Sequence, residues 1–130
     1  MSDKQTVLII TDGTQKVKKM AEDIVTVLKG KEITLKEASA FIGTDLLPAE
    51  LLFFGCQEPN PPSFFNLEKM LQHINLAGRP LGIFSPNSEN ALQYLARIAK
   101  DSEAALNPVF LSEKNAVDIE KWVARVLVGK

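Results

Sequence analysis

The chain is poor in the residues that most often carry catalysis or bind metals. It has one cysteine, Cys56, and one histidine, His73. One cysteine cannot close a disulfide within the chain, and with a single histidine beside it no Cys/His zinc site can be assembled. Both absences fit a reducing cytoplasm. An excess of charge is also lacking: 15 Lys and Arg face 16 Asp and Glu. There is thus no electrostatic footprint for nucleic acid or an anionic membrane. Long apolar runs are missing too. The N-terminal MSDKQT is polar, and Val7–Ile10 after it is far too short for a signal peptide or a membrane span. The expectation is a soluble cytoplasmic protein with no nucleic-acid, membrane or metal partner. Its 130 residues suffice for one domain, 1–130, with its own core.

What is present is an alternation of short apolar runs with longer amphipathic stretches. The apolar runs lie at residues 6–10, 32–35, 51–54, 80–84 and 108–111. The first, third and fourth are apolar at successive positions, as in strands of a parallel sheet covered on both faces. Between them, Val17, Met20, Ile24, Val27 and Leu28 share one helical face, and Gly30 is a suitable stop. A second face runs Phe65, Leu67, Met70, Leu71 and Ile74, which assigns Phe65 to the core. A third helix is expected from an N-cap at Ser85, with Pro86 at its first position, through Ala91, Leu92, Leu95 and Ile98. A fourth holds Val117, Ile119, Trp122, Val123, Val126 and Leu127. The stretch 36–48 has room for only one irregular turn. Five strands alternating with helices predict an α/β three-layer doubly wound sandwich, with a five-stranded parallel sheet of order 2-1-3-4-5.

In such a sheet, ligands bind outside the carboxyl ends of the strands, where the strand order reverses. Three loops converge there. Thr11-Asp12-Gly13-Thr14-Gln15-Lys16 leads into a helix N-terminus, whose free amides and dipole favour an anion. Thr11 and Thr14 offer hydroxyls and Gly13 a close turn, whereas the charge of Asp12 opposes phosphate. The same residues suit a plain cap, with Asp12 or Thr14 satisfying the first amides. The second loop, Gly55-Cys56-Gln57-Glu58 and onward to Phe64, is stiffened by Pro59, Pro61 and Pro62. Phe64 either covers a planar ligand or fills the core. The third loop is Ser85-Pro86-Asn87-Ser88. Cys56 has no basic neighbour in sequence to activate it, so it reads as a small buried hydrophobe. His73, Tyr94 and Trp122 fall within helical patterns, His73 facing solvent and the two aromatics packing. The lysines at 16, 18, 19 and 29 form a solvated helix face.

Over nearly its whole length the chain resembles the short-chain flavodoxins. EITLKEASAFIGTDLLPAELLFFGC is similar to the second strand, following turn and third strand of that family. RPLGIFSPNSENALQYLARI is similar to the fourth strand and helix, and DIEKWVARVL to the closing helix. The resemblance implies FMN held by the three loops, electron transfer to a redox partner protein, and a carrier more than an enzyme in its own right. The family's phosphate loop has the form Thr/Ser-x-Thr-Gly-x-Thr. Aligned through Ala21, it falls on residues 12–17, where Thr14 matches, Gln15 stands at the glycine and Val17 at the last threonine. The family also stacks its flavin on a tyrosine after strand four, and SPNSEN has no aromatic residue. The alternative is a flavodoxin fold with a degenerate site, binding no FMN and serving a non-redox partner. A receiver-type phosphoacceptor is disfavoured, because Gly55-Cys56 stands where such a domain needs an aspartate.

Overall fold

The computed structural model describes residues 5–28, 30–40, 46, 48–76, 78–106, 110–112 and 118–128. In chain order the elements are β1 (Thr6–Thr11), α1 (Gln15–Val27), β2 (Glu32–Glu37), a 3-10 turn (Ala38–Ala40) and β3 (Leu51–Gly55). A second 3-10 turn (Pro62–Phe64) then runs into α2 (Phe65–Leu71). There follow β4 (Pro80–Phe84), α3 (Glu89–Asp101), β5 (Ala105–Leu106) and α4 (Ile119–Val128). The five strands form one sheet of order β2-β1-β3-β4-β5, and every pairing is parallel. This is the flavodoxin-like α/β architecture expected from the sequence.

The alternation of side chains along the strands builds two apolar layers. Val7 and Ile9 of β1, with Leu51 and Phe53 of β3, pack against Val17, Met20 and Ile24 of α1 and Trp122, Val123 and Val126 of α4. Leu8, Ile10, Leu52 and Phe54 face the other way, onto Leu67 and Leu71 of α2 and Leu92, Leu95 and Ile98 of α3. Runs that bury both faces must be apolar at every position, which is why these strands read as continuous in sequence. Gly82 makes room for the α4 layer. A Cβ there would come within 2.9 Å of Val126 Cγ2 and 3.0 Å of Trp122 Cζ2.

The fifth strand departs from expectation. Pairing falls on Ala105 and Leu106 against Pro80 and Leu81, and a separate bridge joins Leu111 to Phe84. Of the expected strand 108–111, Pro108 and Val109 lie outside the described residues. The fourth helix begins at Ile119, and Val117 is outside the described residues.

Candidate functional site

The crevice forms because β1 and β3 are sheet neighbours whose following helices pack on opposite faces. Their carboxyl ends therefore stay uncovered. The loop after β1 is a tight turn built on its own side chains. Thr11 is buried, and its Oγ1 accepts from the Gly13 amide at 3.3 Å. Gly13 sits at φ +86°, a conformation that other L residues rarely adopt. A Cβ there would also meet Glu37 Oε1 at 2.9 Å. Asp12 Oδ1 accepts from the Thr14 amide at 3.1 Å and from the Thr14 hydroxyl at 2.7 Å. Asp12 Oδ2 reaches across to the next loop and accepts from the Gln57 amide at 2.9 Å.

Of the capping residues expected, Asp12 accepts from the Thr14 amide. Thr14 occupies the N-cap position of α1, but its side chain makes no capping bond. Its hydroxyl is directed to Asp12, whose carboxylate ties two loops together. Gln15 and Lys16 are exposed and line a separate groove with Lys18, Lys19 and Glu22. Val17, which one alignment sets at a phosphate-binding threonine, is fully buried against the sheet.

A groove of about 330 Å³ adjoins the turn, lined by Asp12, Thr14, Gln57, Glu58 and the Pro59–Pro62 segment. That is at the small end of ligand pockets. Asp12, Thr14, Gln57 and Glu58 meet at this groove, and Thr11 and Gly13 belong to the turn beside it. Phe64 is not among them. It is fully buried against Tyr94, ring centroids 6.3 Å apart, so its ring fills the core. Phe65, expected in the core, is instead 57% exposed with Lys69 Nζ 4.7 Å above its ring. The cause is the 3-10 turn before α2, closed by the Phe64 amide donating to the Pro61 carbonyl. It brings Phe64, Leu67 and Leu71 onto one face and turns Phe65 outward.

Cys56 follows β3 and is fully buried. Burial, with a smaller contribution from the nearby Asp12 charge, pushes its thiol up to about 12. It is therefore a neutral thiol near pH 7 and no nucleophile. Gly55 is required by packing: a Cβ there would run into the Phe84 ring.

The loop after β4 also corrects the expectation. The N-cap of α3 is Ser88, whose Oγ accepts from the Ala91 amide at 3.0 Å, and the helix starts at Glu89. Ser85 and Pro86 precede it as buried loop residues, and Asn87 is exposed. Ser85 Oγ is fully buried with no hydrogen-bond partner. An orphan hydroxyl at the carboxyl edge of a sheet is the kind of polar atom that a ligand satisfies.

Two residues at this edge were not singled out by sequence. Glu37 lies beside Gly13 because β2 pairs with β1 in a register that opposes Thr11 to Glu37. Lys18 Nζ lies 4.0 Å from its carboxylate. Glu68 accepts from the Tyr94 hydroxyl at 2.7 Å, and burial followed by this bond holds the phenol above its usual range. Only the sheet register reveals the first. Helical spacing shows Tyr94 packing but not its partner.

No protein-family model matches the chain, and no curated protein matches it. Solved structures do. The chain is similar to a flavodoxin of Streptococcus pneumonia TIGR4, with TM-score 0.78 and 13% identity over 97% of this chain and 99% of that one. It is similar to a short-chain flavodoxin associated with a non-canonical PDU bacterial microcompartment, with TM-score 0.82 and 13% identity over 95% and 97%. Oxidised flavodoxin 2 from Bacillus cereus gives TM-score 0.78 and 15% identity over 96% and 99%. Identities this low establish the fold and leave function to the site. Tested against FMN, the Thr14 and Gln57 donors are of the kind that holds a phosphate, and here they are engaged by the Asp12 carboxylate. The ring half of the ligand finds no stacking aromatic from Phe64 or from residues 85–88.

Proposed function

We propose that the protein is an FMN-binding electron carrier of the flavodoxin type, with a weakened cofactor site. What supports this is the fold and the place of the turn at the N-terminus of α1, where the Thr14 amide, the Thr14 hydroxyl and the Gln57 amide are oriented toward one anionic group, here the Asp12 carboxylate. FMN supplies one- or two-electron transfer when bound. The chain's own part is binding and surroundings. Thr14 and Gln57 hold the phosphate at the N-terminal end of α1, where the helix dipole favours an anion. The proline-stiffened segment 57–62 shields one side of the groove from water. Cys56, buried at the end of β3, keeps its proton and adds no charge near the groove. With FMN bound, the electron acceptor or donor would be a redox partner protein.

A second reading is a non-redox, partner-binding domain of the same fold without flavin. The burial of Phe64 and the absence of any aromatic side chain in residues 85–90 favour it. Optical spectra separate the two. Absorbance at about 450 nm on adding FMN, with saturable quenching of FMN fluorescence, supports the carrier. Failure to quench at high micromolar protein supports the second reading.

A further inference from the structure

Helix α1 carries its charges against its own dipole. Lys16, Lys18 and Lys19 stand exposed within its first five residues, with no acid in the first turn and no base in the last. Glu22 and Asp23 follow, each four residues after a lysine, which is the weaker order for a helical ion pair. Stability alone favours the reverse arrangement, since the positive end of the dipole repels cations.

A solvated face needs no apolar centre, yet β2 supplies one beside these lysines. Ile33 packs against the layer that holds α1. Leu35 shares that face of the strand but lies at its outer margin, 41% exposed. With Lys18, Lys36 and Glu37 it lines a groove of about 550 Å³. A second groove of the same volume, lined by Lys16, Lys19 and Glu22, meets the first at Lys18. Four lysines and two glutamates thus surround one exposed leucine, in a chain whose net charge is −1. Lys18 and Glu37 are half-exposed and 4.0 Å apart. Such a pair contributes little and exchanges readily for a new partner.

We infer that this α1–β2 face docks an acidic segment of a partner protein, with carboxylates on Lys16, Lys18 and Lys19 and an apolar side chain on Leu35. Nucleic acid and anionic lipid fit it less well. Both present unbroken negative charge, which Glu22 and Glu37 oppose, and lysines without an arginine offer phosphate no planar fork. The partner lies across side chains and adds no strand to β2. The inference stands apart from the flavin question, because the face shares no lining residue with the groove of Asp12 and Gln57.

The test titrates the full chain with a synthetic peptide of alternating glutamate and serine carrying one central phenylalanine, and follows the NMR amide signals. A peptide with serine at the centre, an oligothymidylate of equal charge and phosphatidylserine vesicles are compared. Saturable shifts are expected around Lys16, Lys19, Leu35 and Lys36. The triple variant Lys16→Gln, Lys18→Gln, Lys19→Gln should bind the peptide roughly tenfold more weakly. It should also melt no lower than the native chain, because the dipole is relieved. Leu35→Ser should weaken the phenylalanine peptide several-fold and leave the serine peptide little changed. Lys69→Gln, Lys100→Gln, Lys121→Gln makes the same charge change on α2, α3 and α4 and should bind as the native chain does.

Shifts centred elsewhere, or none at millimolar peptide, overturn the inference. So do equal losses in the two triple variants, and so does oligothymidylate or vesicle binding as tight as that of the peptide. Should the α1 variant fail to fold, Leu35→Ser with the two peptides decides.

Discussion

Phe64 and Phe65 are neighbours in the chain with opposite surroundings, one fully buried beside Tyr94 and the other 57% exposed. Truncation should separate them. Phe64→Ala leaves a cavity between α2 and α3 and should cost about 3–5 kcal/mol, whereas Phe65→Ala should stay within about 0.5 kcal/mol. Chemical denaturation of the two variants checks this, and equal losses would contradict the assignment. Cys56 makes a second prediction at the same scale. Its thiol is raised to about 12 in the fold, above roughly 8.5 for a free cysteine. The folded state therefore holds a proton that the unfolded chain releases, so this contribution is fully present below about pH 8.5 and falls as pH rises toward 12. Denaturation midpoints at pH 8 and 10 should drop more steeply for the native chain than for Cys56→Ala.

At the scale of elements, the loop after β4 divides its work between two serines. Ser88 caps α3, so Ser88→Ala should cost about 1 kcal/mol. Ser85 has a buried hydroxyl without a partner, so Ser85→Ala should leave ligand-free stability unchanged or raise it by about 1 kcal/mol. Thermal melts of the pair test the contrast. These elements also show what could be read from sequence. The buried strands β1, β3 and β4 were legible because covering both faces demands apolar residues at every step. Helices α1, α3 and α4 were legible because one covered face demands a 3.6-residue period. The start of α2 was not, because a 3-10 turn shifts the phase by a fraction of a turn, which periodicity cannot detect. The start of α3 was missed because Ser85-Pro86 and Ser88-Glu89 carry equally good capping chemistry. The candidate site was legible as a place and as three loops. The bond from Asp12 to Gln57 was not, since it depends on β1 and β3 being neighbours in a defined register.

For the whole molecule, the sheet centre and its edge differ in solvent access. Val7–Ile10, Leu51–Phe54 and Leu81–Phe84 are buried throughout, whereas β2 is largely exposed. Amide hydrogen exchange should be slowest along β1, β3 and β4 and markedly faster along β2. Comparable protection in β2 would mean that another surface covers it. No helix among the described residues is long and apolar enough to cross a membrane.

The β2 edge of the sheet has a consequence of its own. A central run such as Leu51-Leu52-Phe53-Phe54 is the type of segment that templates intermolecular cross-β growth when its backbone is left open. Here that backbone is paired on both sides. One outer border, β2, bears Glu32, Lys36 and Glu37. A charged border makes a poor docking rail for a strand of another molecule. The fold thus carries a strongly aggregation-prone interior behind a margin that discourages its extension into fibrils.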